Sequence, residues 1–132
     1  MASQRSIFEK LSVAFNNRDA DAVAALCELP VAFISDGLSI AAQTATELRS
    51  WIDQTLAHLD RENVEKVDIE LERDSAVSAA LCACLVLITK HYPGNRQSDP
   101  AHETWVIRHT ADGDRVVAVI GLRLLAPELG RV

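Results

Sequence analysis

The chain is short of basic charge and glycine, and each shortage excludes something. Thirteen Lys and Arg stand against nineteen Asp and Glu, for a net charge of −6. No basic patch or stripe of the kind that follows a nucleic-acid backbone is present, so nucleic acid is not an expected partner. The five glycines are dispersed. They form neither a phosphate-binding loop nor a dinucleotide fingerprint, and there is no Gly-x-Ser-x-Gly nucleophile elbow. No apolar run reaches the ~18–20 residues of a membrane-spanning helix, so no membrane association is expected. The three cysteines are an odd number without a Cys-x-x-Cys pair. The N-terminal Met-Ala-Ser-Gln-Arg lacks the apolar stretch of an export signal. Reduced thiols in a cytoplasmic protein are therefore the expectation. Repeats and low-complexity segments are absent, and neither a metal nor a cofactor is expected.

What is present is a core. Apolar residues make up 48% of 132, enough for one domain over residues 1–132. Helical patterns come first. Ser6 and Glu9 fit a capping box, and Ile7, Phe8, Leu11, Ala14 and Phe15 follow at helical spacing. Asn16–Asp19 breaks this helix, and Asp19 or Asp21 can cap a short second one through Ala22, Val23 and Leu26, ending before Pro30. Val31–Ile34 reads as a short strand, and Asp36-Gly37 as a turn. Thr44 and Glu47 make a second capping box, with Leu48, Trp51, Ile52, Leu56 and Leu59 on one face of the third helix.

Strand patterns follow. In residues 64–73, Val67, Ile69 and Leu71 alternate with Asp68, Glu70 and Glu72, as in a strand with one wet face. Residues 76–92 are apolar on both faces. One face suits the helices; the other calls for a second sheet or a partner subunit, and a homodimer packed sheet to sheet is expected. A polar loop over 93–101 leads to strands at 103–109 and 115–125. With no helix between them these strands pair antiparallel. Helices first and meander second predict an α+β fold, with N-terminal helices on one face of a strongly curved, mostly antiparallel sheet.

The last hairpin admits two registers. An Asp112-Gly113 turn pairs Ala111 with Asp114 and sets Arg123 opposite His102. A three-residue Ala111-Asp112-Gly113 loop pairs Thr110 with Asp114 and sets Arg123 opposite Ala101. The second is preferred. It gathers Val106, Val116, Ala118, Ile120 and Leu122 on one face, and Glu103, Trp105, Ile107, Val117, Val119, Gly121 and Arg123 on the other.

Three segments carry a family resemblance: Arg18-Asp-Ala-Asp-Ala-Val-Ala-Ala-Leu26, Leu29-Pro-Val-Ala-Phe-Ile-Ser-Asp-Gly37 and the hairpin 105–120. Together with the element order they resemble the NTF2-like superfamily, which includes SnoaL-like proteins and ketosteroid isomerase, over almost the whole chain. The resemblance implies a cone, a bent sheet wrapped by helices with a pocket in its mouth. Members include polyketide cyclases, isomerases, dehydratases and transport factors, so the fold alone does not assign a reaction. The three positions that the isomerase branch fills with Tyr, Asp and Asp fall here at Leu11, Ser35 and Trp105. All three depart from that pattern.

The pocket residues expected from the resemblance and the preferred register are Trp51, Tyr92, Glu103, Trp105, Val119, Gly121 and Arg123, with Glu103 and Arg123 as an ion pair. Asp36, His91 and Glu103 are the candidates for acid–base chemistry, although an Asp before Gly, as at Asp36, is more often a backbone-bonding turn residue than a catalyst. His91 and His102 flank the 93–101 loop and could meet at the mouth. Cys82 and Cys84 face the same side of one strand and read as buried small hydrophobes. Three functions stay open: binding a small apolar or carbonyl-bearing molecule, cofactor-free SnoaL-like acid–base catalysis, and a protein-interaction module using the doubly apolar strand. A filled cone favours the last.

Overall fold

The helical and alternating patterns become three helices and a mixed sheet in the computed structural model, which describes residues 5–121. In chain order the elements are α1 (Arg5–Asn16), α2 (Ala20–Ala25), β1 (Cys27–Ser35), β2 (Leu38–Ala42), α3 (Ala45–Arg61), β3 (Lys66–Ala76), β4 (Leu81–Tyr92), β5 (Arg96–Gln97), β6 (Ala101–Thr110) and β7 (Gly113–Ile120). The sheet runs β2-β1-β7-β6-β4-β3, with the two-residue β5 beside β4. All pairings are antiparallel except β1 with β7, which is parallel. A parallel pair needs a long crossover, and here β2, α3 and the whole meander supply it. Register shifts interrupt the β1–β7, β3–β4 and β6–β7 pairs. Such bulges bend a strand and raise its twist, which curves the sheet around the helices.

Two of the three expected caps form, while Ser6 lies inside α1, which already includes Arg5, and so does not cap it. The Asp19 side chain accepts from the Ala22 N–H, and Thr44 accepts from Glu47 N–H at the start of α3. The Glu47 carboxylate reaches back to accept from the Gln43 N–H at 3.2 Å. Ile7, Phe8, Leu11, Ala14 and Phe15 of α1 are buried, as are Leu48, Ile52, Leu56 and Leu59 of α3. On β4 the even residues Cys82, Cys84, Val86 and Ile88 are buried beneath these helices, while Ala83, Leu85 and Leu87 are only half-buried.

The polar side of α1 has a second task. Edge strand β3 would otherwise leave its outer N–H and C=O groups unpaired. Asn16 donates from Nδ2 to the Val67 carbonyl at 3.0 Å and accepts from the Val67 N–H at 2.7 Å. Ser12 does the same for Ile69, donating at 3.3 Å and accepting at 3.2 Å. The spacings match: four helical residues rise ~6 Å, and two strand residues advance ~6.8 Å. The helix acts as a partner strand made of side chains.

Several boundaries differ from expectation. β2 reads poorly in sequence because its five residues are flanked by a turn and a capping box. The long apolar run is divided: β3 extends to Ala76, and β4 begins only at Leu81. At its turn the hairpin adopts neither of the two registers weighed above. Thr110 pairs with Gly113 around a tight Ala111-Asp112 turn, but the register shifts beyond Ile107↔Val116. From there Val106↔Ala118, Trp105↔Val119 and Thr104↔Ile120 follow the preferred pairing. The bulge at Val117 therefore turns Val116, not Val117, into the core, where it is 1% exposed.

Candidate functional site

Two adjacent rows of side chains cross the concave face of the sheet, and they differ in chemistry. The inner row is Phe33, Val119, Trp105 and Cys84, set side by side by the pairings Phe33↔Val119, Trp105↔Val119 and Cys84↔Trp105. All four are buried. Phe8 of α1 meets the Trp105 ring edge-on, with centroids 6.0 Å apart and planes at 70°. Leu11, Phe15 and Ile52 close the space above, and the cavity they leave is about 10 Å³. That is about the volume one water needs. The interior at this level is a packed core.

The next row is polar. The pairs Ile34↔Ile120 and Val86↔Glu103 place Ser35, Gly121, Glu103 and Val86 in line. Glu103 is 2% exposed. Its Oε1 accepts from the Trp105 indole Nε1–H at 2.8 Å. A carboxyl at this depth is costly unless it is hydrogen-bonded, and the indole supplies one such bond. Gly121 has φ +118°, and a Cβ there would stand 3.4 Å from Glu103 Cγ. The Ser35 Oγ is buried and has no hydrogen-bond partner among the described residues.

The convex face carries a different surface. Ile34, Ile120, Thr104 and Leu85 form one row across four strands, and Ala32, Ala118, Val106 and Ala83 form the next. These side chains are half-buried, apart from Ile120 at 38% exposure. No described helix packs on them. Ion pairs rim the strip: Arg108 with Glu28, His102 Nε2 with Glu72 at 2.6 Å, and His91 Nε2 with Asp68 at 2.7 Å.

Comparison with solved structures places this architecture. A cystatin-like domain of unknown function from Nostoc punctiforme superposes with a TM-score of 0.67 at 18% identity, covering 88% of this chain and 72% of its own. An NTF2-like protein with a cystatin-like fold from Novosphingobium aromaticivorans gives 0.61 at 17% identity, covering 88% and 76%. The chain has an NTF2-like fold. An NTF2-like protein of unknown function from Shewanella oneidensis matches similarly, at 0.63 and 12% identity over 87% and 92%. No protein-family model matches the sequence, and neither does any curated protein. At these identities the likeness defines the fold, not an activity.

Within the NTF2-like frame the expected pocket residues divide. Trp105 and Val119 belong to the packed core and line no cavity of ligand size among the described residues, because aromatic and aliphatic side chains of α1 and α3 occupy that space. Trp51 is half-buried and stacks on Phe33, with centroids 4.1 Å apart at 24°. Tyr92 is half-buried, with the Arg96 guanidinium 5.9 Å from its ring centroid. Glu103 and Gly121 are neighbours, as expected. Arg123, and with it the Glu103–Arg123 pair and Leu122, lies outside the described residues.

Two acid–base candidates fall away from the interior. Asp36 is exposed in the β1–β2 turn. His91 is on the convex face, because its pairing with Lys66 puts it on the side opposite Val67. His102 is on the same face but opposite Leu87, four residues back along β4. That is ~13 Å away, so the two histidines do not meet. Ser35 was visible only as the position where a family Asp is missing. The alternation Val31, Phe33, Ser35 in β1 was the signal that its side chain turns inward.

The thiols are structural. Cys82 and Cys84 are buried with their sulfurs 3.9 Å apart. Burial, and then the neighbouring Cys82, push the Cys84 thiol far up. Burial pushes Cys27 up to about 12. Thiols held neutral are poor nucleophiles and poor metal ligands. Among the described residues there is no group of three or more metal-ligating side chains.

Proposed function

We propose that this NTF2-like chain works as a self-associating module, two copies joined through the convex faces of their sheets. The observation that carries this reading is the strip of Ala32, Ile34, Val106, Ala118, Ile120 and Leu85 on a face that no described helix covers. An apolar centre ringed by ion pairs is the usual build of an interface, and the filled interior beneath Trp105 favours a surface role. Light scattering after gel filtration is expected to give the mass of two 14.4 kDa chains. Val106→Lys and Ile120→Lys, tested separately, are each expected to give a monomer with an unchanged far-UV spectrum. A wild-type chain that stays monomeric across the accessible concentration range would refute the reading.

A second reading is favoured by Glu103. A carboxyl buried beside Gly121, one row from the core, is the kind of polar group that orients a small ligand at the open end of a cone. If that ligand is a substrate, Glu103 is the group placed to move a proton in cofactor-free chemistry. Native mass spectrometry of protein purified without additives tests it. A small adduct lost on Glu103→Leu supports the reading, and an adduct that persists in that variant counts against Glu103.

A further inference from the structure

We infer that the second copy lies on the convex strip turned end for end, so that each copy's row of large side chains seats over the other's row of small ones. The inference deepens the self-association reading and rests on it.

The strip is built in rows of unequal height. Ile34, Ile120 and Leu85 stand on β1, β7 and β4, and beside them on the same strands stand Ala32, Ala118 and Ala83. On β6 the two neighbours, Thr104 and Val106, match in size. A closed dimer has a two-fold axis, and sheets that meet face to face with aligned strands leave two directions for it. An axis along the strands sets β1 over β4 and β7 over β6. Ile34 then meets Leu85 and Ala32 meets Ala83, so one pair of rows collides while the other leaves a gap. An axis across the strands sets each strand over its own copy, running the opposite way. Ile34 then meets Ala32, Ile120 meets Ala118 and Leu85 meets Ala83. Large over small fills the space evenly, as close packing demands.

The charges select the same axis. On β6 the strip is bounded by His102 at one end and by Arg108 at the other. His102 Nε2 and Glu72 are 2.6 Å apart, and Arg108 pairs with Glu28. The acids of β3 gather at the His102 end, because Glu70 pairs with Leu87, the neighbour of His102 on β4, and Asp68 lies beyond it. Turning the partner end for end brings its Arg108 to this acidic end and carries the two acidic ends to opposite ends of the dimer. An axis along the strands would gather both acidic ends at one end and both arginines at the other. Between chains of net charge −6, that contrast fixes the register of association.

The test is the distance between two spin labels, one on each copy of Ala79→Cys, read by electron paramagnetic resonance. Ala79 is exposed in the turn between β3 and β4 and lies five residues along the chain from Cys84, which is level with the boundary between the two rows. At ~3.4 Å per residue, ~4.8 Å between strands and ~10 Å between sheets, the end-for-end dimer sets the labels ~35 Å apart and the other arrangement ~18 Å. The wild-type chain treated in the same way gives the background from the three native cysteines. Sedimentation supplies the second readout. Ala118→Ile fills a hollow and is expected to raise the dissociation constant about tenfold. Adding Ile120→Ala exchanges the two heights on β7 and is expected to restore the dissociation constant to about the wild-type value. A label distance near ~18 Å overturns the end-for-end arrangement and leaves self-association standing. No coupling between labels overturns both. A double variant that associates no better than Ala118→Ile alone also overturns the inference.

Discussion

Replacing Trp105 by Phe separates packing from hydrogen bonding at the buried Glu103 carboxyl. The smaller ring can keep its edge contact with Phe8, whose centroid lies 6.0 Å away, but it has no N–H for Glu103 Oε1. A hydrogen bond to a charged group contributes ~1.5–3 kcal/mol. The ring volume lost from a site that is 1% exposed adds about 1–2 kcal/mol. The variant should therefore be destabilised by about 3–5 kcal/mol, which lowers the melting temperature by roughly 10–15 °C for a chain of this size. In a Glu103→Leu background the carboxyl is gone, so the same change should cost only the packing part. The coupling between the two sites is then ~1.5–3 kcal/mol. Equilibrium urea denaturation of the four proteins measures it, at one fixed protein concentration because the proposed self-association would make the apparent stability depend on concentration. Equal costs for Trp105→Phe in both backgrounds would refute the reasoning, since the indole bond would then contribute nothing to holding Glu103.

Two further predictions follow from the same packing. Asn16→Ala removes two hydrogen bonds to Val67 and leaves an edge N–H and C=O without their partner; a loss of about 2 kcal/mol is expected by urea denaturation, with faster amide exchange confined to Val67 and its neighbours in β3. Stability should also fall at alkaline pH. The folded-state pKa values of Cys27 and Cys84 lie above their ordinary value near 9, Cys27 at about 12. The unfolded chain therefore releases protons that the folded chain retains. The stabilisation from neutral thiols is complete below pH ~9 and is lost as pH rises toward the folded values, at up to ~1.4 kcal/mol per pH unit for each thiol. Cys27→Ala should flatten that slope between pH 9 and 11, and an unchanged slope would contradict the burial argument.

The three helices, their caps at Asp19 and Thr44, and the doubly apolar β4 were all legible in the sequence, because each rests on local rules. Helical spacing, a capping side chain and strand alternation act within a few residues. From these, and from the order of helices before meander, the α+β class and the resemblance to NTF2-like proteins followed. What the sequence could not settle depends on registers and on filling. The bulge at Val117 exchanges Val116 for Val117 in the core, and no local signal in an all-apolar Val-Val-Ala-Val-Ile run marks it. Whether Trp105 lines a pocket or a core depends on Phe8, Leu11, Phe15 and Ile52 arriving from α1 and α3, which is a question of packed volume. His91 and His102 look close across a short loop, yet pairing with β3 and β6 holds them apart. The pairing of Asn16 with Val67 joins residues fifty-one positions apart, matched only because helix rise and strand advance nearly coincide. The sequence determined which elements form and which faces are apolar. The tertiary structure decided which faces meet, and so left Glu103 and Ser35 as the polar residues beside a filled interior.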